Sequence, residues 1–218
     1  SANDTLTFTA FGTPREIAIL ARGPVDSFNL GEATFIGQFH NINTLIGGTA
    51  SDTLIGLNTV ATTWKVTGIN AGQYTANGFA NQLTFSTIET LVGGSADDTA
   101  TFSGTGYVTL LNLGSVDGFD LTDTTYTGVL RNINTMLGVS GTDTLIGLST
   151  GGTFELDGTN RYISGNELAF SLVEVVIGGA ASDTFLMSGD QTDLTLYGMD
   201  GDDRFTFADN ATLVDGSP

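Results

Sequence analysis

The chain lacks cysteine and carries very little positive charge. Its 218 residues include no Cys, three Pro and one His, and only six Lys and Arg stand against 24 Asp and Glu. Without Cys, disulfide bonds and thiolate metal sites are excluded. With a formal net charge of −18, the chain cannot neutralise many phosphates, so we expect neither nucleic acid nor an anionic membrane surface as a partner.

Long apolar runs and helical periodicity are also missing. No stretch approaches the roughly 18 apolar residues of a membrane-spanning helix, so no membrane span is expected. The composition, 40% hydrophobic and 14% charged, argues against intrinsic disorder. Thr, Val, Ile and Phe are plentiful, and apolar and polar residues alternate in segments such as Trp64–Val66 and Leu194–Tyr197. This alternation is typical of β-strands, so we predict an all-β protein.

A long internal duplication organises the chain. Asn41–Leu57 matches Asn132–Leu148 at a shift of 91 residues, with 11 of 17 positions identical. The duplicated segments extend approximately over residues 20–94 and 111–179. We therefore treat residues 1–218 as a single unit built from repeats, and examine the shorter period inside it.

The shorter repeat has the pattern Gly-Gly-x-x-x-Asp, in most copies followed by Thr and an apolar residue. Its aspartates are Asp52, Asp98, Asp143, Asp183 and Asp203. The interval from each of the first three to the next aspartate is at least twice the interval from Asp183 to Asp203. These intervals fit one or two multiples of a unit of about 20–23 residues, which is typical of one coil of a β-solenoid. We predict a right-handed parallel β-solenoid of the β-helix or β-roll kind, in which equivalent strands lie directly over one another. Because no capping segment is visible, we interpret the chain as a window of a longer repeat protein.

The Gly-Gly-x-x-x-Asp pattern resembles the RTX repeat, the calcium-binding nonapeptide of secreted bacterial toxins, adhesins and surface-layer proteins. In that family, carbonyls of the Gly-rich turn and the Asp carboxylate hold calcium between successive turns of a parallel β-roll. The copies here are degenerate and mostly stand two units apart, whereas the last two are a single unit apart. The resemblance therefore implies Ca²⁺ only at that end of the chain, with the ligands Asp183, Asp200, Asp202 and Asp203.

The same residues have a purely structural interpretation. Gly permits positive φ angles, and an Asp side chain can cap its own turn by accepting backbone hydrogen bonds, so the motifs would simply build corners. The Asn residues of the duplicated segment, Asn41 and Asn132 among them, would either stack as amide ladders or occupy polar turn positions. Lone Trp64 falls on Phe154 in the second copy, which predicts a core aromatic.

Three functional hypotheses follow. The first is a structural segment of a large extracellular bacterial surface protein, such as an adhesin stalk, a surface filament or a surface-layer-like scaffold, which continues into neighbouring repeats or self-associates. The second is a calcium-responsive secreted binding module of RTX type. The third is a β-helix carbohydrate-active enzyme, which would need carboxylates beside a basic residue in a groove. The five Arg are scattered and only one His exists, so we expect no enzymatic activity.

Overall fold

A computed structural model describes residues 3–104, 106–208 and 212–214. This part of the chain contains no helix, which confirms the predicted all-β class. The strands are β1 (Asp4–Thr7), β2 (Glu16–Arg22), β3 (Phe28–Glu32), β4 (Phe39–Ile46), β5 (Thr53–Ile55), β6 (Thr62–Gly68), β7 (Ala71–Ala76), β8 (Gln82–Ser86), β9 (Thr90–Val92), β10 (Asp98–Phe102), β11 (Tyr107–Leu113), β12 (Phe119–Asp123), β13 (Val129–Ile133), β14 (Thr135–Leu137), β15 (Thr144–Ile146), β16 (Thr153–Leu156), β17 (Arg161–Ser164), β18 (Asn166–Ser171), β19 (Val175–Ile177), β20 (Thr184–Met187), β21 (Asp190–Thr192), β22 (Thr195–Tyr197), β23 (Arg204–Phe207) and β24 (Thr212–Val214).

Twenty-two of these strands form one open, mostly parallel sheet, and β21 pairs separately with β24. The sheet consists of two ladders that share β4. Ladder A has the order β1-β4-β8-β7-β6-β10-β14-β18-β17-β16-β20-β23. Ladder B has the order β4-β3-β2-β5-β9-β13-β12-β11-β15-β19-β22.

Four strands run against this parallel order. The middle strands β3, β7, β12 and β17 are each antiparallel to both neighbours. Where such a strand intervenes, parallel partners lie far apart in sequence, for example Thr53 with Thr90. Where no antiparallel strand intervenes, the parallel partners are much closer in sequence, as for Thr184 with Arg204. Among the strands described, closely spaced parallel partners therefore occur only near the C-terminus, because an antiparallel strand is inserted between the parallel partners earlier in the chain.

Asn41 and Asn132 do not stack, although their sequence contexts are nearly identical. Strand β4 pairs with β1, β3 and β8, whereas β13 pairs with β9 and β12. Direct stacking of the two copies, and with it a ladder of their amides, was a wrong prediction. Both residues instead adopt left-handed φ angles of 57° and 56°. Their Oδ1 atoms accept the N–H groups of Val25 at 3.1 Å and Val116 at 3.2 Å, as expected of polar turn positions.

The hydrophobic core lies between the two ladders. Side chains alternate between buried and exposed along the strands, and the buried ones form a single cluster. Rings from the two ladders meet across it: Phe28 packs on Tyr74 at 5.2 Å, and Phe119 packs on Tyr162 at 5.5 Å. Trp64 is completely buried in this cluster, which confirms its prediction as a core aromatic.

Candidate functional site

Four of the motif aspartates are buried, which is unusual for carboxylates. Asp52 and Asp98 are 0% exposed, Asp183 is 1% exposed and Asp143 is 2% exposed. Each lies at a corner where a Gly-rich turn leads into a strand. Asp52 and Asp143 lead into strands of ladder B, and Asp98 and Asp183 lead into strands of ladder A. Burying a charge is costly unless hydrogen bonds compensate it, so the partners of these side chains decide their role.

One carboxylate oxygen closes the turn in which the aspartate lies. In each of the four copies, Oδ2 accepts the N–H of the residue four positions earlier. The donors are Gly48 at 2.5 Å, Gly94 at 2.5 Å, Val139 at 2.8 Å and Gly179 at 2.6 Å. The capping interpretation of the motif is therefore confirmed for these four copies.

The other oxygen reaches a neighbouring layer of the same ladder. Oδ1 accepts a backbone N–H from a residue at the start of the preceding parallel strand in that ladder, which we call the preceding layer. These donors are Arg15 at 2.7 Å, Thr62 at 3.0 Å, Gly106 at 3.3 Å and Gly152 at 2.7 Å. One aspartate thus ties its own turn to the preceding layer with two backbone hydrogen bonds.

The aspartate N–H continues the connection to the following layer. It donates to a side-chain oxygen at the equivalent corner: Asp52 to Glu89 at 2.7 Å, Asp98 to Asn134 at 2.9 Å, Asp143 to Glu174 at 2.8 Å and Asp183 to Asp203 at 2.9 Å. We call these eight residues the corner ladder. Each of its buried aspartates contacts three successive layers.

Burial changes the electrostatics of two of these carboxylates. It raises the pKa of Asp98 to about 6, although hydrogen bonds from Thr62 and Gly94 act in the opposite direction. Burial also raises the pKa of Asp183, against hydrogen bonds from Gly179 and Gly152, and the charge of Asp203 adds to the increase. Desolvation is therefore only partly compensated at these corners.

The four residues of the predicted calcium site have different environments. Asp183 is buried and uses both oxygens on backbone N–H groups, and Asp203 accepts the N–H of Asp183. Asp200 and Asp202 are exposed. Among the residues described, no three or more His, Asp or Glu side chains form a group that could hold a metal ion. Calcium binding at this end stays a prediction.

Sequence reasoning missed Glu89 and Glu174 of the corner ladder, and it considered Asn134 only as part of an amide ladder or as a polar turn position. A signal was present, because Glu89 and Asn134 are each followed by Thr and two apolar residues, as Asp52 is. These positions lack the preceding glycine pair, so a search for the complete motif passes over them. A side-chain acceptor immediately before a short strand would have been the more general pattern.

No protein-family model, curated protein or solved structure matches this chain. No helix with the length and hydropathy of a membrane span occurs in the described part of the chain.

Proposed function

We propose that the chain is a structural segment of a large extracellular bacterial surface protein, serving as an adhesin stalk, a surface filament or a surface-layer-like scaffold, without enzymatic activity. The corner ladder carries this proposal. Its side chains form hydrogen bonds between successive layers of the chain, so the repeated motif stabilises the stack of strands along its axis.

The mechanism is extension by stacking. Each new layer satisfies the open backbone groups of the previous one, and its corner aspartate adds bonds to the layers before and after. Twelve strands follow one another in ladder A. At ~4.8 Å for each strand, they would form a rod about 50 Å long.

The proposed architecture is a right-handed β-solenoid. Its basic coil is the short step between Thr184 and Arg204, and the longer steps are the same coil with an antiparallel excursion inserted. Right-handedness follows from the general preference of crossover connections between parallel strands. The surface location and the secreted origin rest on the RTX resemblance of the motifs, which is an argument from similarity.

Thermal unfolding in calcium and in chelator tests this function against the RTX alternative. A structural segment held by its own corner ladder is expected to melt within a few degrees under both conditions. A large rise in Tm with calcium, reversed by chelator, would instead favour a calcium-responsive binding module. The variants Asp202→Asn and Asp26→Asn, at the predicted site and far from it in sequence, then show whether any shift comes from this site.

A further inference from the structure

The outer face of ladder B carries a groove that crosses β11, β15, β19 and β22. Its volume is about 510 Å³, which is within the usual range of ligand-binding pockets. Side chains on these strands alternate between the core and this face, so Val108 and Val176 are buried while their neighbours Tyr107 and Ile177 line the groove. Because the groove lies on the face of the sheet, a strand added at either edge of ladder B would leave it open.

Two tyrosines flank the groove. The chain has five Tyr, of which Tyr74, Tyr126 and Tyr162 are completely buried in the core. The other two, Tyr107 and Tyr197, are 57% and 50% exposed, and both line the groove. Among the residues described, neither of these two rings stacks on another aromatic ring. Both exposed tyrosines therefore present a free ring face at the same site.

Polar and apolar groups alternate between the two rings. One row of register partners runs across the four strands, from Tyr107 over Thr144 and Val175 to Thr195. Tyr197 lies two residues beyond Thr195, so the rings are separated by three strand spacings, about 14 Å, and by about 6.6 Å along the strands. The exposed Thr142 and Thr195 supply hydroxyl groups to the walls. A ligand that contacts both rings must therefore be an elongated molecule.

The scaffold holds both ring-bearing segments in place. The N–H of Thr144 donates to the carbonyl of Gly106, the residue before Tyr107, at 3.0 Å. The N–H of Gly178 donates to the carbonyl of Tyr197 at 2.8 Å. A ligand that stacks on side chains of paired strands orders little of the protein when it binds, so less affinity is lost to entropy.

The first copy of the duplication supplies an internal comparison. The strands β2, β5, β9 and β13 follow one another in the same register as β11, β15, β19 and β22. On this earlier face, the positions of Tyr107 and Tyr197 are occupied by Glu16 and Arg131, which are both exposed. Two equivalent faces thus carry charged side chains in one copy and aromatic rings in the other.

The composition of the groove selects the class of ligand. Its described lining contains only Gly, Tyr, Thr, Val and Ile, so a charged ligand would find no side chain of opposite charge. The net charge of −18 would in addition repel an anionic polymer. A neutral sugar chain fits these groups, because each sugar ring has an apolar face of C–H bonds, which can stack on an aromatic ring, and a rim of hydroxyls, which can bond to Thr.

We propose that this groove binds a neutral oligosaccharide or polysaccharide chain. One sugar ring stacks on Tyr107 and a second on Tyr197, and hydroxyls between them form hydrogen bonds with Thr142 and Thr195. This binding site goes beyond the proposed structural function, which would persist without it. The two are distinguishable, since loss of sugar binding leaves the melting behaviour in calcium and chelator unchanged.

Calorimetric titration with defined sugars tests the ligand class. The probes are the neutral cellohexaose, mannohexaose and maltohexaose, with hexagalacturonate as the anionic control. We expect at least one neutral hexasaccharide to bind, and its disaccharide to bind at least ~10-fold more weakly because it cannot reach both rings. Binding of none of the three neutral probes, or equally tight binding of hexagalacturonate, would overturn the proposal.

Substitution of the two tyrosines tests the location. Tyr107→Ala and Tyr197→Ala should each weaken binding of the hexasaccharide about 10-fold, since each removes one stacking surface. The matched controls are Glu16→Ala and Arg131→Ala, at the equivalent positions of the first copy, and these should leave the affinity unchanged. All four side chains are exposed, so the melting curves should match that of the parent chain. Unchanged affinity in both Tyr variants, or equal losses in the controls, would refute this site.

Discussion

Asp98 and Thr62 lie 36 residues apart in sequence, yet the N–H of Thr62 donates to Oδ1 of Asp98 at 3.0 Å. The Thr62 hydroxyl donates to the same oxygen. Asp98 is completely buried, so these bonds form where water cannot replace them. A buried acceptor that loses its partners carries the full cost of desolvation, and the corner ladder should therefore be sensitive to single substitutions.

Asp98→Asn is expected to lower the free energy of unfolding by about 2 kcal/mol. The substitution keeps the shape of the side chain, but its amide nitrogen would face an N–H donor from Gly94 or Thr62. The matched control is Asp97→Asn, because the neighbouring Asp97 is exposed. Urea denaturation of the three proteins measures the difference. Equal losses at both positions would mean that reduced charge, and not the corner bonding, governs stability.

Stability should also depend on pH through Asp98. Its pKa rises from 3.8 to about 6 on folding, so the folded chain binds a proton more tightly than the unfolded chain. The resulting stabilisation is fully present below pH 3.8 and is lost as the pH rises through about 6. The raised pKa of Asp183 acts in the same direction. The difference between the urea midpoints of the parent and Asp98→Asn should therefore become smaller as the pH increases from 4 to 7. A difference that stays constant over this range would refute the assignment of the raised pKa to Asp98.

The partly buried ion pair between Arg15 and Glu32 provides a further prediction. The Arg15 guanidinium lies 3.4 Å from the Glu32 carboxylate, and Glu32 is 6% exposed. Burial alone would raise the pKa of Glu32, but hydrogen bonds from Thr34 and Arg15 outweigh it and lower the pKa. Arg15→Met leaves the carboxylate with its hydrogen bonds from Thr34 but without its cation, which should cost about 2 kcal/mol near neutral pH.

The pH dependence of this loss identifies its cause. In the parent chain, the lowered pKa of Glu32 stabilises the folded state above pH 4.5. This stabilisation is lost as the pH falls through the pKa of the folded state. In Arg15→Met, an unpaired Glu32 can protonate in acid, so the deficit relative to the parent should shrink between pH 7 and 4. Arg22→Met is the control, since Arg22 is exposed at the end of β2. A deficit that does not vary with pH would indicate lost packing of the Arg15 stem instead.

Several elements of the fold could be predicted because their signals are local. The alternation in Trp64–Val66 identifies a strand with an inward aromatic, and Trp64 is buried as expected. The Gly-Gly-x-x-x-Asp motif identifies a corner, because an Asp side chain reaches the N–H four positions earlier without help from the rest of the chain. The acceptor role of Glu89 was not predicted, since its donor Asp52 is 37 residues away and nothing in the local pattern selects that donor.

The sequence by itself determined the all-β class, the positions of the corners and the inward residues of the strands, because these depend on alternation and on turns of a few residues. The direction and partner of each strand were decided by the tertiary structure. Alternation is the same in β7, which is antiparallel to its neighbours, as in β10, which is parallel to β6 and β14. Backbone hydrogen bonds carry no side-chain label, so only the packing of the complete chain settles which edges meet.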